Sequence, residues 1–147
     1  MMKRILGFLF VLFAATAMAA ETVEVWKDPG CGCCTAWVDH LKTAGFKVRA
    51  HEVNDINAAR AKNGVPQALG ACHTARVGGY AIEGHVPASE IKRLLQEKPK
   101  AAGLAVPGMP LGSPGMEADR SHPYDVLLFT AGGSTSVYRH YPGKDRK

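Results

Sequence analysis

Three of the four cysteines of this chain lie within four positions, Cys31-Gly32-Cys33-Cys34, and the fourth, Cys72, is followed directly by His73. A thiolate is both a nucleophile and a soft metal ligand, so sulfurs this close together carry two chemistries. Cys31 and Cys34 form a C-x-x-C pair, the spacing of thiol-disulfide exchange. Cys33 fits that chemistry poorly, because a third thiol in the gap is a competing partner for any mixed disulfide. It fits a metal site well, because C-x-C-C spacing puts sulfurs on both sides of a tight turn, where they can terminate or bridge several ions. Two structural disulfides are a poor account of the four. Neighbouring cysteines close strained rings, and such small loops constrain the unfolded chain little.

All-thiolate sites favour Cu(I), Zn(II) or iron–sulfur clusters. A structural zinc site wants a second separated knuckle, and no second C-x-x-C is present. Four cysteines suffice for an iron–sulfur cluster, but an exported chain would have to receive it folded and protect it. Export is expected from residues 1–20. Lys3 and Arg4 precede an apolar run at residues 5–13, and Ala17-Met18-Ala19 is a small-x-small cleavage site. The run is short for a membrane span, and no cysteine follows the cleavage site to carry a lipid, so no stable membrane anchor is expected. The mature chain, 21–147, is then exported, with the bacterial periplasm as its expected location. Copper is the common thiophilic metal of that compartment.

Other soft and borderline ligands are in reach of this reading. Met109 and Met116 each follow Pro-Gly, in turns that would present a thioether outward; the alternative for each is a gap-filling hydrophobe. His85, in Glu83-Gly84-His85-Val86-Pro87, offers an imidazole. His73 ranks lower, because in a regular strand it would point away from Cys72. His40, His51, His122 and His140 are expected to be structural or surface residues. The formal charge is +5, and removing Lys3 and Arg4 leaves +3. The remaining basic residues are scattered apart from a terminal Lys144-Asp145-Arg146-Lys147, so nucleic-acid binding is not expected.

The cluster needs elements to hold it. Residues 22–26 alternate polar and apolar and read as a strand. After the turn at residues 27–30, a helix begins at Cys33 or Cys34, with Trp37, Val38, Leu41 and Ala44 as its apolar stripe and Gly45 as its left-handed stop. A second strand covers residues 46–53. Asn54 or Asp55 caps a short helix ending at Gly64. Residues 71–77 and 80–83 read as strands joined by a Gly78-Gly79 turn, and a helix runs from about Ser89 to Lys98, stopped by Pro99. The order β-α-β-α-β-β-α combines a parallel βαβ unit with an antiparallel hairpin. With helices on both faces this is an α/β, thioredoxin-like mixed sheet, and the cysteines fall where that fold places its redox motif, beside a proline, Pro66, whose position raises the frequency of a cis Val65–Pro66 bond above the ~5% of ordinary X–Pro bonds and leaves the isomer open. Residues 100–123 show no periodicity and are expected to fold back over the cysteines as a lid. Residues 126–129 and 137–141 form a closing hairpin that extends the sheet.

Asp28-Pro-Gly-Cys-Gly-Cys-Cys34, Ala71-Cys-His-Thr74, Gly79-Tyr80, Glu83-Gly-His-Val-Pro87 and Val106-Pro-Gly-Met-Pro-Leu-Gly-Ser-Pro-Gly-Met116 occur in that order. Together they resemble the CopG-type family of exported bacterial proteins, described as a domain of unknown function and associated with copper resistance. The resemblance covers nearly the whole mature chain. It implies a thioredoxin-like fold with a cysteine-bound copper site, including the option of a multinuclear cluster, and a role in copper redox or handling. It supports Cys31, Cys33, Cys34 and Cys72 as ligands, with Met109, Met116 and His85 nearby. The expected cofactor is copper, as Cu(I) and, with redox conversion, Cu(II). The expected partners are copper ions and periplasmic copper-efflux or copper-handling proteins. The alternatives are a thiol-disulfide oxidoreductase using Cys31 and Cys34, and a chaperone that delivers copper to an efflux system.

Overall fold

The structure is a computed structural model and describes residues 21–144; the expected signal peptide lies outside the described residues. Seven strands form one mixed sheet in the order β2-β1-β3-β4-β5-β6-β7. The strands are β1 (Thr22–Lys27), β2 (Lys47–Glu52), β3 (His73–Val77), β4 (Tyr80–Glu83), β5 (Gly103–Ala105), β6 (Tyr124–Phe129) and β7 (Thr135–Tyr141). The helices are α1 (Gly32–Thr43), α2 (Ile56–Lys62) and α3 (Ala88–Glu97), with a 3-10 turn at Gln67–Leu69. From β1 to α3 the order is the β-α-β-α-β-β-α expected from periodicity. β1 runs parallel to β2 and antiparallel to β3, so Cys72, just before β3, arrives beside the end of β1 that feeds the cysteine turn.

The alternation in β1 divides the molecule into two faces. Val23 and Val25 are fully buried with Ala75, Ile82 and Leu104 from the neighbouring strands, under Trp37 and Leu41 of α1 and Ile91 and Leu94 of α3. The opposite face holds a smaller apolar group, Val65, Leu69, Ala81, Ala105 and Phe129. Burying side chains of this size contributes about 1.5–3 kcal/mol each, so the larger face fixes the position of α1 against the sheet. Local signals set the ends. Asp55 caps α2 by accepting from the Ala58 N–H at 2.9 Å, Gly45 takes φ +96° after α1, and the Gly78-Gly79 turn takes φ +55° and +86°.

Several expectations are corrected. Residues 100–123 are not aperiodic throughout: β5 inserts there, parallel to β4 and antiparallel to β6, and joins the closing hairpin to the sheet. Its three residues are too few to display alternation, and Gly103 lies so close to the Ala81 carbonyl that a side chain would collide with it. The Val65–Pro66 bond is trans, as are all peptide bonds among the described residues. α1 begins one residue before the expected Cys33, with Cys31 as its N-cap. β3 begins at His73 rather than at residue 71, and this changes the site.

Candidate metal centre

The first half of the centre is local in sequence. Asp28 accepts the Gly30 N–H through its carboxylate at 2.8 Å and the Cys31 N–H through its backbone carbonyl at 3.1 Å, closing the turn that precedes α1. Cys31 then sits at the N-cap, its Sγ accepting from the Cys34 N–H at 3.3 Å. Orphan N–H groups and the helix dipole favour negative charge at this end. Cys31 and Cys34 are joined as a disulfide, with Cα atoms 5.3 Å apart. This departs from the expectation that both stand ready as thiolate ligands, since a disulfide sulfur is neither a thiolate nor a strong ligand until it is reduced. The C-x-x-C spacing and the helix turn bring the two sulfurs together. Cys33 is free, and its Sγ lies 3.5 Å from that of Cys31.

The second half is assembled from distant segments. Cys72 is also free and partly buried. The four sulfurs of Cys31, Cys33, Cys34 and Cys72 all lie within 4.8 Å of one another. Cys72, His73 and His85 form a second group of the same closeness, so Cys72 belongs to both. His85 Nε2 is 2.9 Å from Cys72 Sγ. The other ring nitrogen, Nδ1, is 2.7 Å from the Pro114 carbonyl. A carbonyl only accepts, so Nδ1 carries the proton, and in the neutral ring Nε2 presents a lone pair toward Cys72. Outer hydrogen bonds of this kind orient imidazole ligands in metal sites. Burial lowers the pKa of His85, which favours that neutral form, while the Pro114 carbonyl acts in the opposite sense. Burial pushes the Cys72 thiol up to about 12, and the adjacent Cys33 thiol adds to the rise.

His73 is brought into the centre against expectation. Its Nδ1 lies 3.5 Å from Cys72 Sγ, and its ring packs between Trp37 and His85 at centroid distances of 4.3 and 5.1 Å. The argument from strand alternation fails because Cys72 precedes the first residue of β3 and is not bound by its pleat. His73 is fully buried, its Nε2 has no hydrogen-bond partner, and burial lowers its pKa to about 3.

The segment after β5 closes one side. Gly108 N–H donates to the Gly70 carbonyl, two residues before Cys72. Gly115, at φ +85°, lies against α1 so closely that a Cβ there would stand 2.7 Å from the Cys33 carbonyl oxygen and 3.3 Å from His85 Nδ1. Met116 follows it and is partly buried; Met109 is 53% exposed. The remaining histidines serve elsewhere. His40 Nε2 accepts the Ala88 N–H at 3.0 Å, supplying α3 with the cap that Pro87 lacks. His51 and His140 pair with Glu24 and Asp125, each at 2.6 Å, and His122 is exposed. Two residues that periodicity assigned only to packing or to no role also serve the centre. Trp37 Nε1 donates to the Val86 carbonyl at 2.9 Å, tying α1 to the segment that carries His85. Arg60 reaches the residue before Cys72.

A family model described as "Protein of unknown function, DUF411" matches residues 69–116, the stretch that holds Cys72, His73, His85, Met109 and Met116. A solved structure named "Copper resistance protein copG- Form 1" is 45% identical with a TM-score of 0.80, covering 85% of this chain and 100% of its own. A second, "Copper resistance protein copG- Form 2", has the same identity and TM-score and covers 84% of this chain and 100% of its own. This chain belongs to the CopG-type copper-resistance family. No curated protein matches it. The motifs quoted above therefore mark a CopG-type chain, and its cysteines converge on one point of a mixed α/β sheet. Among the described residues no helix is long and apolar enough to cross a membrane.

Proposed function

We propose that this chain is a periplasmic copper-binding protein of copper resistance that holds Cu(I) in its multi-cysteine site. The observation that carries the reading is the approach of four sulfurs, from positions 31, 33, 34 and 72, to within 4.8 Å of one another. Soft sulfur donors in that number select Cu(I) over harder divalent ions, and sulfurs so close together can bridge more than one ion. Reduction of the Cys31–Cys34 disulfide by an external dithiol, which gives up two electrons and two protons and becomes a disulfide itself, yields two thiols. Copper then displaces thiol protons, including that of Cys72, whose raised pKa makes binding release a proton at neutral pH. His85 Nε2, 2.9 Å from Cys72 Sγ, is the further ligand of this reading, and Met116 and Met109, on the segment that packs on α1 through Gly115, are its proposed thioether donors. A mixed sulfur and nitrogen set suits both copper oxidation states, and on this reading the centre supports conversion between Cu(I) and Cu(II).

The test is metal analysis of the mature protein, reduced, loaded with Cu(I) and freed of loose metal. At least one tightly held copper per chain is expected; less than one sinks the reading. A second reading, thiol-disulfide exchange by Cys31 and Cys34, is favoured by the disulfide at the head of α1. Cys33→Ser separates the two. An oxidoreductase keeps its exchange rate in that variant, whereas a copper centre loses stoichiometry or affinity. Delivery of the copper to an efflux system would register as transfer to a partner in a two-protein assay.

A further inference from the structure

Arg60 and Glu83 are a buried ion pair far from the cysteine turn in sequence, with side chains 5% and 0% exposed. Arg60 Nε donates to Glu83 Oε1 at 2.7 Å, and the guanidinium also donates to Asn57 and Gln67. A pair of this kind is costly to desolvate and is weak evidence of added stability in itself. What distinguishes it is the third party. Arg60 Nη2 donates to the Ala71 carbonyl, and the same Glu83 Oε1 accepts the Ala71 N–H at 2.8 Å. Both backbone hydrogen-bonding groups of Ala71 are thus held by one ion pair. Gly84 presses on the same residue: a Cβ at Gly84 would stand 2.6 Å from the Ala71 Cβ. Ala71 immediately precedes Cys72, which lies outside β3 and has no strand to fix it. Glu83 lies two residues before His85 on the chain that brings the imidazole.

We propose that the Arg60–Glu83 pair is the positioning element for Cys72. By fixing Ala71 from both sides, it sets the Cys72 Sγ against His85 Nε2 and so sets how tightly that half of the centre holds a soft metal ion. The contact between Cys72 and His85 stands independently of that function; the consequence for affinity rests on the copper-binding reading above. Arg60 supplies a planar fork that reaches Glu83 and Ala71 together, a geometry a lysine cannot reproduce.

The test uses the mature oxidised protein carrying Cys33→Ser. With Cys31 and Cys34 in the disulfide, Cys72 is then the one free thiol, and its alkylation by iodoacetamide reports its release from His85. Adding Arg60→Met is expected to raise that rate about tenfold or more, the factor that follows from losing hydrogen bonds made by a charged group. Arg60→Lys restores at most part of the loss. Leu94→Ala, a truncation in the core away from Ala71, controls for general loosening and is expected to change the rate less than about twofold. Alkylation of Arg60→Met at the parent rate, or an equal rise in Leu94→Ala, overturns the proposal. If Arg60→Met does not fold, Glu83→Gln and Arg60→Lys decide: a rise of about threefold in either supports positioning, and the parent rate in both overturns it. In the reduced protein with Cys33 restored, competition against a chromophoric Cu(I) chelator is expected to find Arg60→Met weaker by about 10–100-fold. Unchanged affinity removes the link to the metal. A wild-type chain that binds no copper defeats the copper reading and leaves the alkylation result standing.

Discussion

The two halves of the centre are built in opposite ways. Residues 31–34 depend on one turn and the first turn of one helix, and their hydrogen bonds run between near neighbours in sequence. The Cys72, His73 and His85 half has no such local frame. Its sulfur precedes β3, its imidazole follows β4, and the proton on that imidazole is held by Pro114, 29 residues further on. A site made of neighbours survives changes elsewhere in the fold, while a site made of distant segments inherits every weakness of the contacts that assemble it. The thiol half should therefore be robust in place and sensitive to redox state, and the Cys72 half robust to redox state and sensitive to remote substitution.

The substitution with the largest expected effect removes the atom the halves share. Cys72→Ser leaves the disulfide pair and Cys33 in place but breaks both groups of close ligands. Cu(I) affinity measured by chelator competition is expected to fall by more than about 100-fold, beyond the range for losing an outer partner. A fall no larger than that of Cys33→Ser would mean that the local turn holds copper without the second half.

Gly115 is where the distant strap touches the local turn. Its positive φ and the short distances from its missing Cβ to Cys33 and His85 leave no room for a side chain. Gly115→Val is expected to cost about 2–4 kcal/mol from backbone strain and overpacking, read by urea unfolding. It should also withdraw the Pro114 carbonyl from His85 and leave the Cys31–Cys34 disulfide intact. A variant as stable as the parent would show that the strap lies loosely on α1.

A smaller effect is expected at His40, which lies outside both halves. Its Nε2 accepts a backbone N–H only while it is neutral, and burial lowers its pKa below the usual value, with Glu117 acting in the opposite sense. The unfolded chain thus binds this proton more readily than the folded one, so stability is full above the ordinary histidine range and falls as pH drops below about 6.5. His40→Gln should be less stable than the parent at pH 7.5 by about 1 kcal/mol, the scale of a lost cap. The gap should narrow at pH 5.5. A constant gap would mean that His40 does not titrate with unfolding.

Features legible in the sequence are those that neighbours decide. The alternation of β1, the Asp55 cap and the Gly78-Gly79 turn each act within a few residues, and each stands as read; the C-x-C-C spacing likewise brings its three sulfurs together, with Cys31 and Cys34 joined as a disulfide. The placement of Cys72 beside the cysteine turn was also legible, through the antiparallel pairing of β3 with β1. Four features were not. β5 is three residues long and exists because β4 and β6 flank it. His73 enters the centre because the strand starts two residues later than its pattern implies. The disulfide was one of two states open to a C-x-x-C pair. The hold of Arg60 and Glu83 on Ala71 joins residues 23 apart through a backbone group that no side-chain pattern reports.

The smallest effect is expected at Met109, which the Pro-Gly context offered together with Met116 as a soft ligand. Met109 and Met116 have the same Pro-Gly context, and both sit on the strap between β5 and β6. Their surroundings differ. Met116 follows Gly115, which rests on α1, and its N–H donates to the Ser113 carbonyl at 2.8 Å. Met109 follows a turn fixed to Gly70 but leaves 53% of its surface in water. A thioether is a soft donor, so Met116, the less exposed of the two, is the stronger candidate. Met109→Ala is expected to change Cu(I) affinity by less than about twofold, and Met116→Ala by more, within the about 10–100-fold that outer contacts command. The double variant should also oxidise faster in air if the strap shields the thiols. Equal effects from the two single variants would mean that the strap moves on metal binding and carries Met109 inward. No effect from either, in affinity, stoichiometry or oxidation rate, would reduce residues 106–116 to a connector whose one contribution to the centre is the Pro114 carbonyl.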